Sequence, residues 1–353
     1  ARVMAKLAIG SPAVVALRSF RRVTRSAGVD GYPGWLLDAA AQVGLAFRTL
    51  FNQPDATVLT RSLYGGDDGR YWETMLDHCI AGNLQALMDE HVHVLRESLG
   101  VTSVPVKEAV GRIAEEIISA LSLKATVLRI DDFKVGESLK LAKNSIPMRC
   151  RGAVRFAADP GEDDSGETYA DQVRIAFNSP FRPFVLASTA VGQEGLDFHL
   201  WCHAIFHWNL PSNPVDFEQR EGRIHRYKGQ VIRRSVASAL GMKSISGSEE
   251  NSDPWNLLFS IARAGRDAGQ NDLVPYWVFN GDGNFKIRRY VPALPLSRER
   301  AAAVRLRSAL GAYRLVFGQP RQEDLLAFLQ SSNSGKNLSP ELFAIDLSPG
   351  AAN

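Results

Sequence analysis

Apolar positions recur at helical spacing through the first third of the chain. Residues 1–23 read as helix, with Val14, Val15, Leu17 and Phe20 on the apolar side. Ser11-Pro12 marks a helix start, because proline suits a first turn whose N–H groups have no intrahelical partner. Tyr32-Pro33-Gly34 breaks the pattern. Residues 35–51 and 71–98 predict two further helices, separated by Gly65-Gly66-Asp67-Asp68-Gly69. The second carries Trp72, Met75, Leu76, Ile80, Leu84, Leu87 and Val92. Residues 105–122 make another amphipathic stretch, and then the period changes. Thr126–Ile130 and Met148–Phe156 read as strands, Pro160–Glu167 as an acidic loop, and Tyr169–Phe177 as a helix.

From there strands and helices alternate. Phe184–Ala187 is an apolar run that reads as a buried parallel strand, and His203–His207 as a second short strand. Asn209-Leu210-Pro211-Ser212-Asn213-Pro214 interrupts, and Asp216 is placed to cap a helix starting near Phe217. Val231–Val236 reads as another strand. This alternation predicts an α/β fold with a parallel sheet. Tyr276–Phe279 and Phe285–Tyr290 flank Asn280-Gly281-Asp282-Gly283-Asn284, which signals a hairpin. Helices are expected near 297–317 and 321–330, followed by a Ser/Asn/Gly-rich tail, with no internal repeats.

Two motifs carry the chemistry. The first is Ser188-Thr189-Ala190-Val191-Gly192-Gln193-Glu194-Gly195-Leu196-Asp197. Its glycines allow a sharp turn and close approach of backbone to a ligand, and Asp197 follows that turn. Ligands of open α/β sheets dock at the carboxyl ends of the strands. The second is Gln219-Arg220-Glu221-Gly222-Arg223-Ile224-His225-Arg226-Tyr227-Lys228-Gly229-Gln230. Arg220, Arg223 and Arg226 are three apart, which on a helix keeps them near one face. A rigid, permanently charged guanidinium suits the negative charge spread over a transferring phosphoryl group.

In this order the motifs resemble motifs V and VI of the superfamily 2 helicases and translocases, the second being closest to the Swi/Snf-type branch. Arg174 and Phe177-Asn178-Ser179-Pro180, with Asn209-Leu210-Pro211, also look like helicase-related proteins of bacteria. The resemblance is specific over about 165–240. It implies a RecA-like parallel sheet flanked by helices, with a large helical insertion or accessory bundle. It makes Arg223 and Arg226 the finger arginines of an ATPase site. It places Gly195, Asp197 and Gln219 on the nucleotide side, and Ser188 and Thr189 on a nucleic-acid phosphate. One departure is visible: family members often have Asp or Trp near 209–212, where this chain has Asn209 and Ser212.

No complete phosphate-binding loop exists in the sequence, and Gly335-Lys336 lacks the surrounding residues of one. The expected role is therefore the C-terminal lobe of a helicase or translocase. It would bind ATP and Mg²⁺ jointly with an N-terminal ATPase lobe of the same parent protein and be inactive without it. DNA is favoured over RNA as partner. The expected divisions are 1–23 as a lead-in from that lobe, 24–104 as the helical insertion or accessory bundle, 105–245 as the RecA-like lobe, 246–330 as a helical and hairpin extension, and 331–353 as a tail. The alternative is a non-catalytic nucleic-acid-binding or scaffold module derived from such a lobe. A nuclease would need a carboxylate cluster with metal-binding spacing, which the sequence lacks.

Composition changes this picture little. Lys and Arg number 41 against 38 Asp and Glu, a net charge of +3, so any nucleic-acid footing must be local. Arg220, Arg223, Arg226, Lys228, Arg233 and Arg234 cluster around the single Glu221, and a second basic stretch runs from Lys286 to Arg307. Cys79, Cys150 and Cys202 are odd in number and far apart, which fits neither a disulfide framework nor a zinc pattern. That cysteine pattern gives the cytoplasm as the expected compartment, and with no run of membrane-spanning length and no signal sequence read, no membrane partner is expected. Asp89-Glu90-His91-Val92-His93 is only superficially similar to a DExH box, since it lies inside a helical pattern. His199, Cys202, His203 and His207 run from a loop into a strand and are not expected to hold a metal.

Overall fold

The computed structural model describes residues 1–64, 70–123, 127–130, 133–135, 139–141, 146–149, 165–188, 197–241, 244–246, 253–267, 270, 272–279, 281, 285–292 and 297–317. The chain divides into two compact units, Ala1–Trp201 with Leu240–Gly265, and Cys202–Ala239 with Arg266–Asn353.

The first unit is mostly helical. Its elements are α1 (Arg2–Gly10), α2 (Pro12–Ser26), α3 (Gly34–Phe51), α4 (Pro54–Tyr64), α5 (Tyr71–Ala81), α6 (Leu84–Ser98), α7 (Val106–Leu121), β1 (Val127–Ile130), β2 (Phe133–Val135), β3 (Leu139–Leu141), β4 (Ile146–Arg149), α8 (Ser165–Phe177) and, from the later segment, α11 (Pro254–Ala264). Ser11-Pro12 does start a helix, with Pro12 in the first turn of α2. The core is built from stripes: Val15, Ala16 and Phe20 of α2, Leu36, Ala40, Val43 and Phe47 of α3, Met88, Val92 and Leu95 of α6, and Val110, Ile113 and Ile117 of α7. Each of the valine, leucine, isoleucine, methionine and phenylalanine side chains, fully buried, contributes about 1.5–3 kcal/mol. The helices α2 and α3 cross closely at Gly44, where an added Cβ would lie 2.7 Å from the Ala13 Cβ.

The expected helix 71–98 is two helices. The chain breaks at Gly82 and at Asn83, which is left-handed (φ 52°) and caps α6 by accepting from the Ala86 N–H. The helix α4 was not foreseen. Its Val58, Leu59 and Leu63 are exposed, so it has no apolar stripe for a periodicity argument to detect. The Asp89–His93 stretch lies within α6, as expected. Asp89 is buried and accepts from Ser19 Oγ at 2.6 Å, Gln85 Nε2 at 3.0 Å and Arg22. Burial raises its pKa despite Arg22, Ser19 and Gln85. His93 Nδ1 lies 2.8 Å from Asp253 Oδ2, tying α6 to the N-cap of α11.

Strands β1 and β4 pair antiparallel, as do β2 and β3. The strand expected at Met148–Phe156 begins earlier, at Ile146, and residues 150–156 lie outside the described set. So do 65–69 and 160–164, whereas 165–167, read as loop, open α8. Phe184–Ala187 corrects the sequence reading. It is not a strand, and Phe184 and Val185 are exposed. An apolar run becomes a buried strand only when its N–H and C=O groups find a ladder, and none of the described residues pairs with it.

The second unit holds β5 (Ala204–Phe206), α9 (Pro214–Gly222), α10 (Gln230–Leu240), β6 (Arg288–Tyr290) and α12 (Glu299–Phe317). Parallel pairing among the described residues consists of β5 with β6, in the register Ala204↔Arg288, Ile205↔Arg289, Phe206↔Tyr290. That pairing replaces the expected hairpin. Residues 276–279 form a turn and coil, and β6 pairs across sequence with β5. Val231–Val236 is helix, not strand. Val231, Ile232, Ser235 and Val236 form one buried face at helical spacing, a period that the β-branched residues masked. Phe217 of α9 packs with Leu306 and Leu310 of α12, with Leu210 against them. Residues 318–353, including the expected helix at 321–330 and the tail, lie outside the described set. Among the described residues no single helix is long and apolar enough to cross a membrane.

Candidate functional site

The arginine segment begins with α9. Asn213 caps it, its Oδ1 accepting from the Val215 N–H at 2.8 Å, and Pro214 fills the first turn. Asp216, expected as the cap, lies inside that turn, where its carboxylate suits the positive end of the helix dipole. The helix stops at Gly222. Of the three arginines expected on one helical face, only Arg220 is within α9. Arg223 is the C-cap and Arg226 lies in the turn beyond. That turn is closed by the Ile224 and His225 N–H groups, both donating to the Glu221 carbonyl, and by Gly229 N–H donating to Arg226 O. Arg226 Nε donates to Gly222 O at 3.2 Å, and Arg220 Nη1 donates to Asn209 O at 2.8 Å. The loop with the unusual Asn209 is thus tied to α9.

Glu221 anchors this segment from beneath. Its side chain is 1 % exposed and receives two bonds from Arg289 of β6, Nη2 to Oε2 at 2.8 Å and Nε to Oε1. His207 Nε2 lies 3.4 Å from Glu221 Oε1, and the imidazole stacks on Phe217 at 4.4 Å. The Arg289 guanidinium also covers Phe217, 4.8 Å from the ring centre. A buried carboxylate held in two places by one planar fork fixes orientation as well as charge. The Gly222–Arg226 turn therefore leaves a helix end pinned to the β5–β6 pair.

Two of the basic residues read as phosphate footing have internal roles instead. Lys228 is buried and left-handed (φ 46°), its N–H donating to Tyr276 O at 2.7 Å. Its ammonium lies 5.5 Å from the Tyr227 ring and 5.7 Å from the Tyr276 ring. Arg233 is fully buried and donates to Lys228 O at 2.8 Å. Both fix the turn from inside. Arg234 is exposed, 4.1 Å over Phe285.

Glu221, His207 and Arg289 were missed as a group, as were the internal roles of Lys228 and Arg233. The available signal was Glu221 itself, one acid inside a run of six cations. Gln219 is exposed on α9, and Arg223 and Arg226 are half-buried near its end. In the first unit Ser188 is exposed, and half-buried Asp197 accepts at its backbone carbonyl from Asn178 Nδ2 at 2.7 Å. Thr189 and Gly195 lie outside the described residues. Among the described residues no group of His, Cys, Asp or Glu could hold a metal ion.

No curated protein and no solved structure matches the chain. Residues 170–228, running from α8 through the arginine turn, match the Helicase conserved C-terminal domain family. That match supports a helicase-type C-terminal lobe over this stretch, with the RecA-like fold, nucleic-acid partner and N-terminal companion lobe that such a domain generally implies.

Proposed function

We propose that this chain supplies the C-terminal lobe of an ATP-dependent nucleic-acid helicase or translocase of Swi/Snf-like type, with Arg223 and Arg226 as its finger arginines. The observation that carries the reading is the helicase-domain match over 170–228, which covers the first motif and the second as far as Lys228. The donor set at the end of α9 is chemically suited to a polyphosphate. Two guanidiniums lie three residues apart in a closed turn, anchored through Glu221. ATP with Mg²⁺, bound jointly with the N-terminal lobe, supplies the phosphoryl group to be transferred. Arg223 and Arg226 neutralise the charge that develops on it, and the pinned turn lets them do so without reorganising. Gln219, Gly195 and Asp197 keep the nucleotide-side roles their motifs imply, and Ser188 and Thr189 the nucleic-acid phosphate, with DNA the favoured partner.

The fingers act only on phosphates already cradled by a phosphate-binding loop. The 353-residue chain alone should therefore hydrolyse no ATP above background. In the parent protein, Arg223→Ala or Arg226→Ala should lower turnover by about 10³-fold or more while ATP binding largely survives. Lysine at either position should restore little, because an ammonium lacks the planar fork. Steady-state ATPase with nucleotide titration tests this. Robust hydrolysis by this chain alone, or near-normal turnover without both arginines, refutes it.

A further inference from the structure

The β5–β6 pair has two unlike faces. Arg289, and His207 one residue past β5, face α9 and meet Glu221 and Phe217. Side chains alternate along a strand, so Phe206, Arg288 and Tyr290 share the opposite face, with Trp208 two residues past the end of β5 and Lys286 two residues before β6. This face is open. Phe206 is 66 %, Trp208 74 % and Tyr290 38 % exposed, and Lys286 and Arg288 are exposed with them. Phe206 and Tyr290 are register partners, and their rings stack at 4.4 Å with planes 11° apart. Residues 202–210 and 285–292 contain no Asp or Glu. The buried carboxylate of Glu221 is engaged by Arg289 on the other face.

From this juxtaposition we propose that the outer face of β5–β6 is a stacking platform for single-stranded nucleic acid. Bases lie on the Phe206–Tyr290 pair and on Trp208, and the backbone phosphates lie along Arg288 and Lys286. Aromatic rings interleaved with cations fit this ligand on both counts. Any base offers a π-face to a ring, and the charged backbone follows the cations. An apolar protein surface would cover the rings but strand Arg288 without a counter-charge, at a desolvation cost. The proposal rests on the nucleic-acid reading above and adds to it the class of nucleic acid and the residues that grip bases.

The test uses the full chain, with fluorescent oligothymidylate and a duplex of equal length, followed by anisotropy across a salt series. Phe206→Ala and Trp208→Ala should each weaken oligothymidylate binding by about 5- to 150-fold, the range of one lost base stack, and leave the salt slope unchanged. Trp208→Phe should retain most of the affinity. Arg288→Ala should lower the slope by about 0.7, one single-strand phosphate contact. Duplex affinity should stay within about twofold of wild type in the aromatic variants, because paired bases are already stacked. All three side chains are exposed, and circular dichroism verifies that each variant folds. If the aromatic variants bind oligothymidylate as wild type does while Thr189→Ala weakens binding, the platform is refuted and the helicase reading stands. If the aromatic variants lose single-strand and duplex affinity equally, the platform is likewise refuted. If the wild type binds neither nucleic acid at low salt, both fail.

Discussion

Removing the carboxylate of Glu221 should loosen the arginine turn from below. Glu221→Ala takes away both acceptors of the Arg289 fork and leaves a guanidinium whose side chain is only 24 % exposed without its counter-charge. It also opens space beside His207 and Phe217. Breaking a buried pair from one side costs about 3–5 kcal/mol. Glu221→Gln keeps the shape and one acceptor, so it should cost about 1.5–3 kcal/mol, the range for a hydrogen bond to a charged group. Replacing both partners by methionine should recover much of the loss, since an apolar pair of similar volume leaves no orphaned charge. At about 1.4 kcal/mol per tenfold, the alanine variant should lower amide protection in α9, β5 and β6 by roughly two to three and a half orders of magnitude. Peptide-resolved hydrogen exchange reads this directly, and α7 should change far less. Loss of protection smaller than about tenfold in α9, or a double methionine variant worse than either single one, would refute the anchoring role.

Gly44 and Gly111 should respond oppositely to alanine. Gly44→Ala forces a contact of 2.7 Å on Ala13 and should destabilise by about 1–3 kcal/mol, whereas Gly111 in α7 has open space and should gain about 0.5–1 kcal/mol, both measured by urea unfolding. Asp253 is pushed up by burial, but the His93 hydrogen bond and charge, with the Asn256 and Trp255 N–H groups, hold it below the usual aspartate value of 3.8. Its contribution is present above that value and lost as pH falls through the depressed one. Asp89, raised by burial, acts with the opposite sign. The readout is therefore the variant, and Asp253→Asn should flatten the acid limb of the wild-type stability profile. Burial pushes the Cys79 thiol up to about 11, so at pH near 8 the native chain should be alkylated there at least about 100-fold more slowly than the urea-unfolded chain, by peptide mass spectrometry.

The sequence alone was enough to place several of the helices whose stripe of apolar residues had to be buried. Residues 35–51 and 105–122 came out within a residue or two as α3 and α7, because burial of Val43 or Ile113 leaves a period in the chain that needs no knowledge of the partner. It also carried the motif order that points to a helicase C-terminal lobe, since arginine and glycine spacing is covalent information. Tertiary structure decided the rest. Whether Phe184–Ala187 becomes a strand depends on a ladder partner, and β6 chose β5 over its neighbour in sequence because strand pairing is not a local property. Val231–Val236 folds as helix because Val231, Ile232, Ser235 and Val236 all found one buried side. Most consequential is the sorting of the cations. Their identical charge gives no sign of role, yet Lys228 and Arg233 fix the turn internally, Arg289 neutralises Glu221, and Arg288 stands one residue away on the open face. That distinction is a matter of which side of a strand or helix meets a buried carboxylate, and it exists only once the chain has folded.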